Sequence, residues 1–242
     1  MTAKLDLPVR VTRQDTRSAW RRQYWVLLFA IYCLGFAIYG ADPYVTFNRT
    51  EARIFPTRVE WQYPLIVAHV FTGVVTVSLA WVQVWPWLRS HHPRVHRALG
   101  RVYLLAGAVP AALLAIPAAI LDTGGQSIRV ALLTIAFLWL ATSILGGRAA
   151  LQRRLGDHRR WMLRNVALAT VVITARPYTF ANLFFMHWVS PHSYSLTGRD
   201  SVTQMLSMGL WGSLALHLVI VEWFILAPRR RRRAGPADEL PA

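Results

Sequence analysis

Long apolar runs separated by short basic segments dominate this chain. Six runs of at least 18 residues carry few charges, at about 23–41, 63–88, 99–121, 130–147, 161–188 and 205–227. A helix needs roughly 20 apolar residues to cross the hydrocarbon of a bilayer. The pattern therefore predicts an all-α, polytopic integral membrane bundle of about six transmembrane helices. We expect a single membrane domain over residues 1–242, with a basic arm at 1–22, the six-helix bundle at 23–228 and a basic tail at 229–242.

Composition supports a membrane protein. The chain is 55% hydrophobic and 16% charged, with a mean hydropathy of +0.33, which is too apolar for a soluble domain of this length. A net charge of +16 could indicate nucleic-acid binding, but the basic residues come in blocks between apolar runs rather than on one face of a soluble fold. We therefore expect no nucleic-acid partner. The expected partners are the lipid bilayer and anionic lipid headgroups at its cytoplasmic face.

The distribution of Lys and Arg predicts the orientation in the membrane. Of the 27 basic residues, 21 lie before the first helix, in the second-to-third and fourth-to-fifth turns, or after the sixth helix. Short loops rich in Lys and Arg stay in the cytoplasm. The sequence thus predicts a multi-pass protein of the cell membrane with both termini in the cytoplasm. Its one cysteine, Cys33, excludes a disulfide framework and a thiolate metal site.

One polar stripe lies on the second predicted helix. Thr72, Thr76 and Gln83 follow His69 at offsets of 3, 7 and 14 residues, which places all four on one helix face. Polar side chains are costly in hydrocarbon, so this face should point into the bundle. It is either a hydrogen-bonded seam between helices or part of a ligand site.

Arg176 is a basic residue within the fifth predicted helix. It follows His158 by 18 residues, or five helical turns, so the two side chains share a helix face. Inserting an arginine at that depth costs about 2.5 to 3.5 kcal/mol, so it must meet a partner or a water-filled cavity. His217 on the sixth helix lies at a similar depth and is either a ligand-site residue or a hydrogen-bonded core histidine.

Glu222 lies nearer the cytoplasmic end of the sixth helix. Its depth matches that of Arg164 on the fifth helix and Arg101 on the third. An unpaired carboxylate at this position would take up a proton. We therefore expect Glu222 to form an ion pair with one of these two arginines.

Two further histidines open outward-running helices at the cytoplasmic edge. His96 begins the third helix and His158 the fifth, at matching depth. A haem held by two imidazoles needs such a pair on different helices, with cations for its propionates. We therefore expect a b-type haem with His96 and His158 as iron ligands, although a basic loop at the headgroup layer gives the same pattern. The candidate propionate cations are Arg97, Arg101, Arg160 and Arg164.

Together these motifs resemble a bacterial family of predicted membrane proteins, a domain of unknown function. The resemblance covers about residues 63–178 and implies a polytopic bundle without implying an activity. It rests on His69, Gln83 with Arg89, His96-Arg97 with Gly100-Arg101 and Tyr103, His158-Arg159-Arg160-Trp161-Met162, and Arg176.

More distantly, His96-x-x-Leu99-Gly100 is similar to the transmembrane di-haem cytochromes b that move electrons from ascorbate-like donors. In that family each of four consecutive helices supplies a ligand, in two pairs. The fourth helix here, 130–147, contains no histidine. His69 therefore lacks the mate that a second haem would need.

Three functions stay open on the sequence. The leading one is a haem-binding protein of electron transport. The first alternative is a carrier or sensor for a small anionic or lipidic ligand bound by a polar cluster, whose members are His69, Gln83, Arg176 and His217. The second is a non-catalytic membrane subunit in which the polar seam only holds helices together.

Overall fold

The computed structural model describes residues 23–51, 59–189 and 199–226, and every regular element in these ranges is helical. Six helices of the described part are long and apolar enough to cross a membrane, which confirms the prediction of a multi-pass helical protein. The predicted arm at 1–22 and tail at 229–242 lie outside the described residues. We number the crossings spans 1 to 6: Tyr24–Tyr44, Gln62–Val84, Pro93–Ile120, Gln126–Leu151, Leu155–Val189 and Thr203–Trp223.

Short helical segments follow the α-helices of spans 1 and 2. The α-helix Tyr24–Ala41 continues as a 3₁₀ turn at Asp42–Tyr44, and a second 3₁₀ turn follows at Arg49–Glu51. Span 2 ends at Val84 rather than at residue 88, because Pro86 has no N–H to continue the helix and Trp85 is extended, with ψ 112°. The turn between spans 2 and 3 is itself the short helix Pro86–His91.

Span 3 is built from three segments. An α-helix at Pro93–Val102 passes into a π-helical segment at Tyr103–Ala108 and then into an α-helix at Val109–Ile120. The π segment precedes Pro110, which cannot donate a backbone hydrogen bond to the turn before it. Span 5 is one continuous α-helix despite its internal Pro177, and the span 6 helix Arg199–Val219 ends in a π segment at Ile220–Ile225.

Consecutive spans pack against each other along the chain. Span 2 also contacts span 5, and span 4 also contacts span 6. Small residues fill the shared core and allow close approach of the helix backbones, as is usual in membrane bundles. Ala80, Ala108, Ala111, Ala112 and Ala131 are all completely buried.

The outer surface of the bundle is strongly apolar. Large side chains such as Ile38, Leu105 and Phe184 are 73%, 74% and 78% exposed. A surface of this kind would drive aggregation in water, whereas in a bilayer it contacts lipid chains. The protein is therefore embedded in the lipid bilayer through its spans.

Candidate functional site

Three members of the polar stripe of span 2, His69, Thr76 and Gln83, face span 3. His69 Nδ1 donates to the carbonyl oxygen of Ala111 at 2.9 Å. A Cβ added at Gly107 would lie 2.6 Å from Thr76 Oγ1, and one added at Gly100 would lie 3.2 Å from Gln83 Oε1. The arrangement is that of a seam in which glycines of span 3 make room for polar side chains of span 2.

A buried polar network joins spans 3, 4 and 5 at the centre of the bundle. Tyr103 and Asn165 are both completely buried, and the Tyr103 hydroxyl donates to Asn165 Oδ1 at 2.7 Å. Asn165 Nδ2 in turn donates to Ser143 Oγ at 2.7 Å and to Thr142 Oγ1 at 3.1 Å. The contact between Tyr103 and Asn165 sets the register of spans 3 and 5.

That register brings His96 and His158 to the same level. Each histidine lies seven residues before its partner in the network, His96 before Tyr103 and His158 before Asn165. Seven residues are about 10 Å and almost two turns of a helix, and spans 3 and 5 run in the same direction. His96 and His158 accordingly lie at the same level of spans 3 and 5.

The two imidazoles have different surroundings. His158 Nδ1 donates to the carbonyl oxygen of Gly146 at 2.8 Å, which leaves Nε2 available. His96 Nδ1 is buried without a hydrogen-bond partner among the described residues, and so is Nε2 of Gln83. Because Gln83 lies against Gly100, one turn along span 3 from His96, these two polar atoms belong to the same region. Buried polar atoms without a protein partner are uncommon, and a bound group or water would complete the hydrogen bonding of these two.

Of the candidate cations, Arg164 is engaged elsewhere. It forms a two-pronged ion pair with Glu222, with Nη2 to Oε2 at 2.8 Å, and its guanidinium lies 4.9 Å from the centroid of the Trp161 ring. This confirms that Glu222 pairs with an arginine of the same depth, and it selects Arg164 over Arg101. Arg97, Arg101 and Arg160 are exposed, and none of them forms an ion pair within the described ranges.

His217 is hydrogen bonded on both sides between spans 5 and 6. Its Nδ1 donates to the carbonyl oxygen of Ala167 at 2.7 Å, and its Nε2 lies 2.9 Å from Thr174 Oγ1. The Thr174 hydroxyl also lies 3.0 Å from the hydroxyl of Tyr32 in span 1. The geometry is that of a hydrogen-bonded core histidine.

Arg176 faces span 1 and is exposed at the surface of the bundle. Its Nη1 donates to the Tyr39 hydroxyl at 3.3 Å, and the guanidinium lies 5.5 Å from the Tyr39 ring and 6.0 Å from the Phe36 ring. The partner that its depth requires is therefore an aromatic pair of span 1, and none of the carboxylates whose side chains the structure describes lies within ion-pair distance.

The structure thus divides the predicted site residues into two groups. It places His96 and His158 at one level of spans 3 and 5, and Gln83 of span 2 lies against Gly100, one turn along span 3 from His96. The proposed ligand cluster lies in separate places, because His69 and Gln83 belong to the seam of spans 2 and 3, His217 lies between spans 5 and 6, and Arg176 faces span 1.

The sequence pattern did not predict the hydrogen bonds from Asn165 to Thr142 and Ser143 of span 4. The adjacent hydroxyls of Thr142 and Ser143, in the middle of an otherwise apolar helix, were the available signal. No group of three or more His, Cys, Asp or Glu side chains in the described part is placed to hold a metal ion.

Comparison with known proteins identifies a family but no characterised relative. The chain matches the model of a family described as "Predicted membrane protein (DUF2306)" over residues 66–211, which begin in span 2 and end in span 6. No curated protein and no solved structure matches the chain, and neither comparison supports the more distant similarity to di-haem cytochromes b. The family match covers more than half of the sequence and nearly all of the polar positions described above. The chain therefore belongs to the DUF2306 family of predicted membrane proteins.

Proposed function

We propose that this membrane protein binds a b-type haem through His96 and His158 and takes part in electron transfer. The observation that carries the proposal is the hydrogen bond between Tyr103 and Asn165, which aligns spans 3 and 5 so that the two histidines share one level. Two imidazoles from different helices would together hold the iron of such a haem. Such a haem supplies one-electron redox chemistry when bound.

The side chains around the pair fit a bound group. His158 is oriented by its hydrogen bond to Gly146, and a histidine ligand commonly donates its other ring N–H to a backbone carbonyl in this way. His96 Nδ1 and Gln83 Nε2 are buried polar atoms that lack a partner among the described residues. They would be satisfied by a cofactor or by water at this position.

Positive charge is available beside the pair for the propionates of a haem. Arg97 directly follows His96 in span 3, and Arg101 comes one turn later. Arg160 lies two residues after His158 and is exposed. Arg164 is left out of this role because Glu222 already neutralises it.

The test is an absorption spectrum of detergent-purified protein, produced with haem in excess. We expect a Soret band and a sharp reduced α-band typical of two-imidazole ligation. His96→Ala and His158→Ala should each abolish that spectrum, since one imidazole cannot hold a six-coordinate low-spin iron.

The matched control is His91→Ala. His91 lies at the same end of the bundle but is exposed, with its ring bonded to the Trp87 carbonyl and the Ser90 hydroxyl. Its loss should leave the bands unchanged. Folded wild-type protein that binds no haem under these conditions would exclude the proposal, as would a haem spectrum that survives both His96→Ala and His158→Ala.

A further inference from the structure

The residues around Arg176 form a candidate anion site on the lipid-facing side of the bundle. A guanidinium carries five N–H donors. The described residues take up one of them, in a long contact of 3.3 Å with the Tyr39 hydroxyl. The remaining donors lie at an exposed position on a surface that contacts lipid. A cation there that has no carboxylate partner among the described side chains attracts an anion from the membrane itself.

Arg176 lies near the membrane face opposite the histidine pair. Thr179 Oγ1 is 3.3 Å from the carbonyl oxygen of Met205, so Thr179 is level with the beginning of span 6. Arg176 precedes Thr179 by three residues, which is about 4.5 Å along the helix. An arginine at this depth can extend its guanidinium towards the headgroups while its methylene groups stay in the hydrocarbon.

The aromatic residues of span 1 orient the guanidinium. The rings of Phe36 and Tyr39 lie 5.9 Å apart, and both face Arg176. Cation–π contacts of this kind hold the charge in place without neutralising it. The planar guanidinium keeps the fork of donors that suits the two oxygens of a phosphate.

From these contacts we propose that Arg176, held by the rings of Tyr39 and Phe36, binds the phosphate of a phospholipid in the leaflet opposite the histidine pair. The lipid lies along spans 1 and 5, with its acyl chains against the apolar surface and its phosphate at the guanidinium. The site is separate from His96 and His158, so it does not depend on the proposed haem.

The test uses the wild-type protein in nanodiscs with a photoactivatable phosphatidylglycerol whose reactive group lies near the glycerol. Labelled peptides should include residues 32–39 and 174–180. A diacylglycerol probe with the same reactive group and acyl chains should label these peptides about tenfold less, because it lacks the phosphate that accepts the charged hydrogen bonds. Excess inorganic phosphate should not displace the lipid probe.

Arg176→Gln should reduce this labelling about tenfold, and Arg176→Lys should retain part of it because the cation is kept. Labelling at the basic turn around Arg94 and Arg97 is the internal control and should not change. Equal labelling by the two probes, displacement by inorganic phosphate, or full labelling of folded Arg176→Gln would each overturn the proposal. The comparison of probes on wild-type protein decides the question if Arg176→Gln does not fold.

Discussion

At the scale of single residues, Asn165 carries the most consequential contacts. Its amide oxygen accepts from Tyr103, and its amide nitrogen faces Ser143, Thr142 and the carbonyl oxygen of Trp139. No bulk water reaches this depth, so any partner that is removed leaves a polar group unsatisfied in low dielectric. The network thus specifies one arrangement of spans 3, 4 and 5.

Removal of parts of this network should destabilise the protein in steps. We expect Tyr103→Phe to lower the free energy of unfolding by about 1 kcal/mol, the scale measured for hydrogen bonds between membrane helices. Asn165→Ala should cost about 2 to 4 kcal/mol, because it leaves a cavity as well as an unpaired Tyr103 hydroxyl. The measurement is equilibrium unfolding by SDS in mixed micelles.

The control for this series is Thr134→Val. Among the described residues the Thr134 hydroxyl bonds only to the Val130 carbonyl of its own helix, so its loss should change stability little. The network would have no special role if Asn165→Ala unfolded at the same SDS fraction as Thr134→Val.

At the scale of elements, the contact between spans 2 and 3 depends on glycines that allow close approach. Gly107 lies against Thr76, where an added Cβ would be 2.6 Å from the hydroxyl oxygen and 3.1 Å from the backbone nitrogen. The backbone of span 2 cannot move away there without disturbing the neighbouring bond from His69 to Ala111. A side chain at this position therefore forces Thr76 or the backbone of span 2 to shift.

We expect Gly107→Ala to destabilise the protein by about 1 to 3 kcal/mol, the usual cost of overpacking a core. Gly73→Ala is the matched control, because an added Cβ there has nothing within 4 Å. It should be neutral or stabilising by up to about 1 kcal/mol through helix propensity. Unfolding in SDS or heat measures both, and equal stability of the two variants would contradict the close approach.

At the scale of the whole molecule, charge is distributed unevenly between the two ends of the bundle. The end that holds His96 and His158 also holds the ion pair of Arg164 with Glu222 and the exposed Arg97, Arg101 and Arg160. The opposite end holds few basic residues. Because loops rich in Lys and Arg stay in the cytoplasm, this difference favours one orientation of the bundle during insertion.

The expected topology places the histidine end and both termini in the cytoplasm. A reporter that is active only in the cytoplasm should work when fused after Arg233 and fail when inserted in the loop after Glu51. A periplasmic or extracellular reporter should give the reverse result at each position. Activity of the second reporter after Arg233 would require the opposite orientation.

Sequence alone was sufficient to predict the crossings of the membrane, because the cost of an unsatisfied backbone in hydrocarbon forces long apolar runs into helices. It predicted the face on which His69, Thr76 and Gln83 lie, since helical periodicity is a local property. It also narrowed the partner of Glu222 to two arginines by depth. The end of span 2 was misplaced only because the apolar run continues past Pro86, which cannot extend the helix.

Tertiary structure decided everything that depends on how one helix slides or turns against another. It selected Arg164 for Glu222 and paired Tyr103 with Asn165. It also gave Arg176 and His158 different neighbours, Tyr39 of span 1 and Gly146 of span 4, although the two side chains share a helix face. Such choices arise from side-chain packing between spans that are distant in the sequence, and hydrophobic periodicity contains no information on that register. The level shared by His96 and His158 could be guessed from depth, but only the packed bundle joins their helices through Asn165.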